Sequence, residues 1–489
     1  MGFCGKRCGA ITLFSTGTIL IILGLVLALF WGSLYNQILS NELILTNHSR
    51  SYELWKETPI PMYLSLYLFN WTNAGQVLQS KWAVKPELQE CGPYVFSEHH
   101  IRVNLLWNDN GTVTYQQKRI WHFIPELSNG SLSDKITNLN PVVATIGSKI
   151  KDLNSSTIRK LVNFALKGLE HSIVTTKTVD ELLFTGFDDN VLQVVSKLKI
   201  KGLDIPFTKF GWFYMRNNSA TYDGTFTIYT GKTDLQRVGI MDLWNGQART
   251  SYYDNYCGDI NGTSGELWPP VKDYQEVAIF SSDICSSITI TYNSTEVVDG
   301  VAGKKYVGTD YVFDNGTKYP EQACYYSKPT PSGIRDVSKC RFGAPLFVSY
   351  PHFYLADPVY KNAVKGLHPD KTKHEMYITL EPSSGIPLDA RAQLQINLFV
   401  EPIESMSMFE NIKPTYMPML WFSQTATLTN KYAHMVRVLL VMDNVGLYVG
   451  WTAFGVGLLS SLIAIFIICR QEWHEKEEER LLDNEQPQS

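Results

Sequence analysis

The residues able to do chemistry in this chain do not stand at the spacing that a familiar catalytic motif demands. Gly231-Lys232-Thr233 has the end of a phosphate-cradling loop, but the earlier glycine of that loop would fall at Phe226. His374-Glu375 and His474-Glu475 each lack the second histidine of the zinc-hydrolase motif. A Gly-Xaa-Ser-Xaa-Gly nucleophile elbow is absent from the sequence. His99-His100 has the ligand type for a metal, but without Cys or carboxylates at useful spacing it reads as two exposed strand histidines. The expectation is therefore a protein that is not an enzyme and needs no cofactor or metal, with a membrane-anchored ectoenzyme as the rival class.

Sulfur, amide and tail chemistry are better placed. Cys91, Cys257, Cys285, Cys324 and Cys340 lie in the middle of the chain, and Cys4, Cys8 and Cys469 near its ends. Four of the middle set fall in one segment, which in an oxidising compartment predicts two disulfides with three connectivities open. Cys91 is left over, as a buried free thiol or an intermolecular partner. Cys4, Cys8 and Cys469 flank apolar runs and are candidates for palmitoylation, whereas Lys6 stands where myristoylation needs Ser or Thr. N-glycosylation acceptors occur at Asn47, Asn70, Asn110, Asn129, Asn154, Asn217, Asn261, Asn293 and Asn315. Composition alone would supply about four such triplets, so the region reads as lumenal or extracellular. In the tail, Glu477 stands four places before Leu481-Leu482, the form of an acidic dileucine sorting signal that clathrin adaptors read; the plainer alternative is the end of a solvated helix.

The elements that must hold these groups begin with two apolar runs free of Lys, Arg, Asp and Glu, over residues 9–41 and 444–469. Each exceeds the roughly 20 residues that span a bilayer. The first lacks a small-residue cleavage site, since Trp31, Leu34 and Tyr35 follow it, and so reads as an uncleaved anchor. Lys6 and Arg7 precede it and the next basic residue is Arg50, which places the amino terminus in the cytosol. The predicted organisation is a cytosolic amino terminus over 1–9, a span over 10–35, an ectodomain over 36–443, a second span over 444–469 and a cytosolic tail over 470–489. Glycines 446, 450, 455 and 457 could permit close contact between spans, although membrane helices are generally rich in glycine. The net charge of −4, with 18% charged residues, gives no reason to expect nucleic acid as a partner.

Most of the ectodomain reads as strands. Residues 61–71 alternate, residues 92–123 form two runs joined by a turn at Asn108-Asp109-Asn110-Gly111, residues 211–217 pair with 225–230, and Gln393, Gln395 and Asn397 alternate with Leu394, Ile396 and Leu398 as a half-buried strand. One stretch differs: Ile158, Leu161, Val162, Ala165, Leu166 and Leu169 keep helical spacing, with Arg159, Lys160 and Lys167 off the apolar stripe. Thr178-Val179-Asp180-Glu181 then has the form of a capping box that opens another helix. The basic side chains are either an ordinary solvated face or a head that attracts anionic ligands.

Several motifs in order resemble the class B scavenger receptor family over nearly the full length. They are Gly92-Pro93-Tyr94; Asp180-Glu181-Leu182-Leu183; Cys257-Gly258-Asp259-Ile260-Asn261-Gly262-Thr263; Ser281-Ser282-Asp283-Ile284-Cys285; Asp336-Val337-Ser338-Lys339-Cys340; Pro351-His352-Phe353; and Gln395-Ile396-Asn397. The resemblance implies an α+β ectodomain, mainly an antiparallel β-barrel-like framework with a helical-bundle head over about 148–200 and an apolar tunnel that carries lipid toward the membrane. It implies the bridges Cys257–Cys324 and Cys285–Cys340. Some members have a third bridge, and Tyr326 stands near where one of its cysteines would fall; Cys91 also departs from the family pattern. A ligand role at the head is implied for Arg159, Lys160 and Lys167 as a set. Expected partners are lipids, lipoprotein-like or anionic particles, the membrane and clathrin adaptors, with homo-oligomers left open. The implied function is lipid uptake, endocytosis or phagocytosis at a plasma membrane, with cycling through endosomes or lysosomes. A lysosomal protein for lipid export or hydrolase sorting is the alternative.

Overall fold

Alternation of apolar side chains along long extended runs drives this chain to bury one strand face against another, and the result is a single large antiparallel sheet. The computed structural model describes residues 3–153, 155–168, 172–192 and 208–484. The chain divides into two units, one of residues 43–430 and one made by the two ends of the chain.

Among the described residues, thirteen strands of the larger unit share one sheet. Its path runs Glu276–Ser281, Ser286–Val298, Val301–Val307, Tyr377–Leu380, Pro387–Val400, Thr415–Thr427, Met62–Trp71, Leu88–Trp107, Thr112–Phe123, Thr225–Tyr229 and Met241–Trp244. Arg335–Asp336 and Leu346–Ser349 extend from Pro387–Val400. The two ends of the path are brought together by Gly262-Thr263. The Met241 amide donates to the Gly262 carbonyl at 2.8 Å, the Thr263 amide to the Ala278 carbonyl at 2.9 Å, and the Phe280 amide to the Thr263 carbonyl at 2.8 Å. Gly262 has φ +80° and its missing side chain faces the Ala278 carbonyl, so only glycine fits at this seam. The sheet thereby becomes barrel-like.

The hairpin at Asn108–Gly111 forms where its turn residues predict, with Gly111 at φ +78°. The pairing of 211–217 with 225–230 does not form. Thr225–Tyr229 pairs instead with Thr112–Gln116 and with Met241–Trp244. Residues 211–217 turn tightly, with Met215 at φ 63°, and aim Phe213 into the core. Pro387–Val400 is a strand, but not a half-buried one: Gln393, Gln395 and Asn397 are as buried as Leu394 and Leu398. Hydrogen bonds hold them there, Gln395 Oε1 accepting from the His352 amide at 2.7 Å, Asn397 Nδ2 donating to Ser349 Oγ at 3.1 Å and Gln393 Nε2 donating to Ser423 Oγ at 3.0 Å.

The head is described as far as Leu192; Asn154 and residues 169–171 and 193–200 lie outside the described residues. Strands Lys135–Leu139 and Val174–Thr178 pair at its base. Helix Pro141–Asp152 starts at Asn140, whose Oδ1 accepts from the Val142 and Val143 amides, and has proline at its first position. Val142, Val143, Ile146 and Ile150 bury against a core shared with Trp71, Trp421 and Phe409. Helix Ser156–Gly168 adds Val162 and Leu166, while Leu161, read as part of the stripe, is exposed. The capping box forms: Glu181 Oε2 accepts from the Thr178 amide at 2.9 Å and Thr178 Oγ1 from the Glu181 amide at 3.2 Å. It opens only a single wide turn, Glu181–Thr185, stopped by Gly186 at φ 70°.

The other unit pairs helices Phe3–Leu43 and Asn430–Asn484, both long and apolar enough to cross a membrane. Their contact is made through glycine. Gly17 lies against the Gly457 carbonyl and Gly24 against the Gly450 carbonyl, and Gly446 lies against Trp31, whereas Gly455 faces open space. Trp31 Nε1 donates to the Met442 carbonyl at 3.0 Å and the Tyr35 hydroxyl to the Leu439 carbonyl at 2.8 Å.

Candidate functional site

The barrel holds an open-mouthed cavity of about 200 Å³. Its wall is mostly apolar. Leu64, Leu394, Ile396 and Phe422 come from three neighbouring strands, Leu346 and Val348 from the strand beside them, and Pro141 and Val142 from the first turn of the head helix. Trp212 and Phe213, on the turn that replaced the predicted strand, complete it with Trp121. A side chain pointing inward from a barrel strand normally fills a core; here the inward residues leave room, so the space suits a long apolar molecule.

Charged groups occupy part of the wall, namely Glu98, Arg119, Lys209, Arg216, Asp283 and Arg341; His100, Arg102 and Glu266 support Glu98 without lining the cavity. Glu98, His100 and Arg102 lie on one face of Leu88–Trp107, and all three are buried. His100 donates from Nε2 to Glu98 at 2.6 Å and from Nδ1 to Glu266 at 2.7 Å. Glu266 also receives Arg102, which donates to the Trp55 carbonyl at 2.7 Å. Burial opposes charge on His100, but the carboxylates on either side outweigh it and raise its pKa. Burial likewise opposes charge on Glu266, and Arg102 with His100 holds it well below the usual carboxylate range. The reading of exposed strand histidines therefore fits His99 only in part, since it is half-buried and reaches Glu57 at 3.0 Å, and fails for His100. A second group joins Arg119, Arg216, Asp223, Asp283 and Arg341. Arg216 bonds Asp223 and Asp283, each at 2.7 Å, while Arg119 lies 3.4 Å from Asp223 and Arg341 lies 3.6 Å from Asp283. An apolar space with fixed charges on one wall is built for an amphiphile.

Comparison with known proteins decides what kind of chain this is. The CD36 family matches residues 15–468. This chain belongs to the CD36 family. It is similar to scavenger receptor class B member 1 of Mus musculus, with 35% identity over 97% of this chain and 92% of that protein. It is also similar to protein peste of Drosophila melanogaster, with 34% identity over 88% of this chain and 77% of that protein. Lysosome membrane protein 2 of Mus musculus shares 28% identity over 94% of this chain and 96% of its own length.

In this CD36-family fold Cys257 is bonded to Cys324 and Cys285 to Cys340. The second bridge ties the loop that carries Asp283 to the one that carries Arg341, so the motifs around these cysteines position the charged wall. Where a third bridge would fall, the Tyr326 hydroxyl donates to the Phe313 carbonyl at 2.9 Å and to the Ile334 carbonyl at 2.6 Å. Cys91 is a half-buried free thiol, and burial pushes its pKa up. The sequence-predicted ligand set is divided: Lys160 and Lys167 are exposed, whereas the Arg159 guanidinium is 14% exposed and lies 3.9 Å from Glu404. Asn47, Asn110, Asn129, Asn217, Asn261 and Asn293 are exposed. Asn70 and Asn315 are half-buried, with Asn70 Oδ1 accepting from the Thr137 amide and Asn315 Nδ2 donating to the Thr330 carbonyl. Cys8, Cys469, Glu477 and Leu481 are exposed; the side chains of Cys4 and Leu482 lie outside the described ones. Sequence reasoning missed Arg119, Arg216 and Arg341, although Asp283 and Arg341 sit beside bridged cysteines, which was the available signal.

Proposed function

We propose that this chain is a scavenger receptor that takes lipid from particles or cell and microbial surfaces and delivers it to a membrane without catalysis. The apolar cavity with a charged wall is the observation that carries this reading. The two terminal helices are its anchors, with both termini cytosolic, and the protein works at the plasma membrane with cycling through endosomes or lysosomes. Lipoprotein-like or anionic particles dock at the head through Lys160 and Lys167, which stand exposed for it, with Arg159 as the third member of the set. Glu477, Leu481 and Leu482 bring clathrin adaptors to the tail, and Cys4, Cys8 and Cys469 carry palmitate.

Replacement of Lys160 and Lys167 by Glu tests the docking: binding of anionic lipid particles to cells should fall at unchanged surface level, and unchanged binding refutes it. A second reading, a lysosomal membrane protein for lipid export or hydrolase sorting, draws on the likeness to lysosome membrane protein 2 and on the dileucine tail. Replacement of Leu481 and Leu482 by Ala should move the protein to the cell surface under either reading. Residence with lysosomal markers in the unaltered protein, without particle uptake, favours the second.

A further inference from the structure

The motif Pro351-His352-Phe353 lies outside the cavity wall, and its histidine is stacked on another. The His352 and His374 rings lie 4.6 Å apart and 13° from parallel, and the two residues are 4% and 3% exposed. Both sit against the outer face of the sheet: His374 meets Trp421 edge to face at 5.4 Å, and the His352 amide donates to Gln395. Trp421 and Gln395 alternate with Phe422, Leu394 and Ile396, whose side chains line the cavity. Segment 366–376 lies over that outer face. Gln393 Nε2 holds it by donating to the Lys373 carbonyl and Arg391 by donating to the Thr372 carbonyl, each at 2.9 Å.

Hydrogen bonds fix the protonation state of both rings. His352 Nδ1 accepts from the His368 amide and His374 Nδ1 from the Asp370 amide, each at 3.0 Å. A ring nitrogen that accepts carries no proton, so both imidazoles are neutral in this fold, and His352 Nε2 donates to Glu90 at 2.6 Å. A proton added at either Nδ1 would point at an amide proton, so it binds only when the segment moves away. Glu90, which also accepts from Trp421 Nε1 at 2.7 Å, and Asp370 favour an added proton, whereas Lys373 and the neighbouring ring oppose it. Lys371 pairs with Glu375 at 3.6 Å, and Tyr67, stacked on Trp421 at 3.9 Å, and Arg391 complete the surroundings. The Glu90 side chain keeps 34% of its surface, which gives protons a way in from solvent.

We infer that His352 and His374 form an acid-released latch: protonation at either Nδ1 frees segment 366–376 from the sheet face behind the cavity wall. The latch does not depend on what the cavity holds. Its release uncovers Gln393 and Trp421 on the outer face, so the strands that carry Leu394, Ile396 and Phe422 lose their outer support. Burial and His352 hold the pKa of His374 at about 4 in the closed form, against about 6.5 for a free histidine. Between those values each unit of falling pH should favour opening about tenfold. Endosomes and lysosomes, through which this protein is proposed to cycle, work in that range.

The test is hydrogen–deuterium exchange of the full-length protein in phosphatidylcholine nanodiscs at about pH 6.5 and about pH 4.5, corrected for the intrinsic effect of pH on exchange. Protection of peptides covering 366–376, which include the His368 and Asp370 amides, should fall about 100-fold between the two. Peptides from Ser286–Val298 report general acid loosening and should keep their protection. A glutamine oxygen can accept the Asp370 amide but does not titrate, so in His374→Gln the fall should shrink at least tenfold. In the paired variant His352→Gln/His374→Gln it should vanish; if that pair does not fold, His374→Gln alone decides. Unchanged protection in the unaltered protein, an equal fall in Ser286–Val298, or a full fall that persists in His374→Gln overturns the inference.

Discussion

Replacing Gly262 by Ala should loosen the barrel at its seam. Gly262 adopts φ +80°, which costs an alanine about 1–2 kcal/mol. The new methyl group would also collide with the Ala278 carbonyl, the acceptor for the Thr263 amide. Moving that strand away endangers the hydrogen bonds of Met241, Thr263 and Phe280 at the seam, each contributing about 1 kcal/mol. The combined loss is about 4 kcal/mol, a large part of the roughly 5–15 kcal/mol that stabilises a folded domain. Gly265 is the matched control: it has φ +94°, but an added methyl would meet only Ile279 at 3.9 Å, so Gly265→Ala should cost only the conformational part, about 1–2 kcal/mol. The sequon at Asn261 survives Gly262→Ala, which keeps glycosylation out of the comparison. Thermal unfolding of both full-length variants, followed by tryptophan fluorescence, reads the difference. Equal midpoints for the two would refute the role given to Gly262-Thr263 in closing the sheet.

Three other outcomes are expected. Burial and the adjacent His352 lower the pKa of His374 to about 4. A histidine depressed below its unfolded value of about 6.5 stabilises the fold above that pH and loses the contribution as pH falls through about 4, on the order of 3 kcal/mol. His374→Gln should therefore flatten the loss of stability between pH 7 and 4, measured by urea unfolding; a slope equal to that of the unaltered protein contradicts the assignment. His100 acts oppositely, since its raised pKa gives stability that is complete below about 6.5 and is lost as pH rises through the raised value. His100→Gln should remove that alkaline loss, and persistence of the loss counts against it. Joint replacement of Cys285 and Cys340 by Ser should cost about 2–5 kcal/mol and lower the amount of lipid recovered with the protein, because Asp283 and Arg341 on the cavity wall lose their fixed spacing; a stability loss with unchanged lipid content would separate the bridge from the site.

How much of this was legible in the sequence depends on the range of the interaction involved. The hairpin at Asn108–Gly111 and the Thr178–Glu181 capping box are local, so residue type and spacing were enough to find them. The seam was not visible, because a lone Thr263 joined to strands on both sides leaves no alternating pattern. Residues 211–217 misled because aromatic side chains favour strands, yet Trp212 and Phe213 are held in a turn by their contacts with the core and cavity. Gln393, Gln395 and Asn397 looked solvent-facing by period alone, and only their tertiary hydrogen bonds explain their burial. The cavity wall was unreadable for a related reason: Leu394 and Ile396 have the composition of core residues whether they meet another side chain or an empty space. Arg119, Arg216 and Arg341 lie far apart in the chain and meet only through the fold.

The central claim is that the barrel cavity holds lipid, and the most direct test is the lipid recovered with the purified full-length protein and with Ile396→Trp, measured by mass spectrometry after detergent exchange. A tryptophan at Ile396 would project into the cavity from the middle of a strand. The account predicts a stoichiometric lipid with the unaltered protein and its loss from a folded Ile396→Trp variant. Equal lipid content in the two proteins would contradict it.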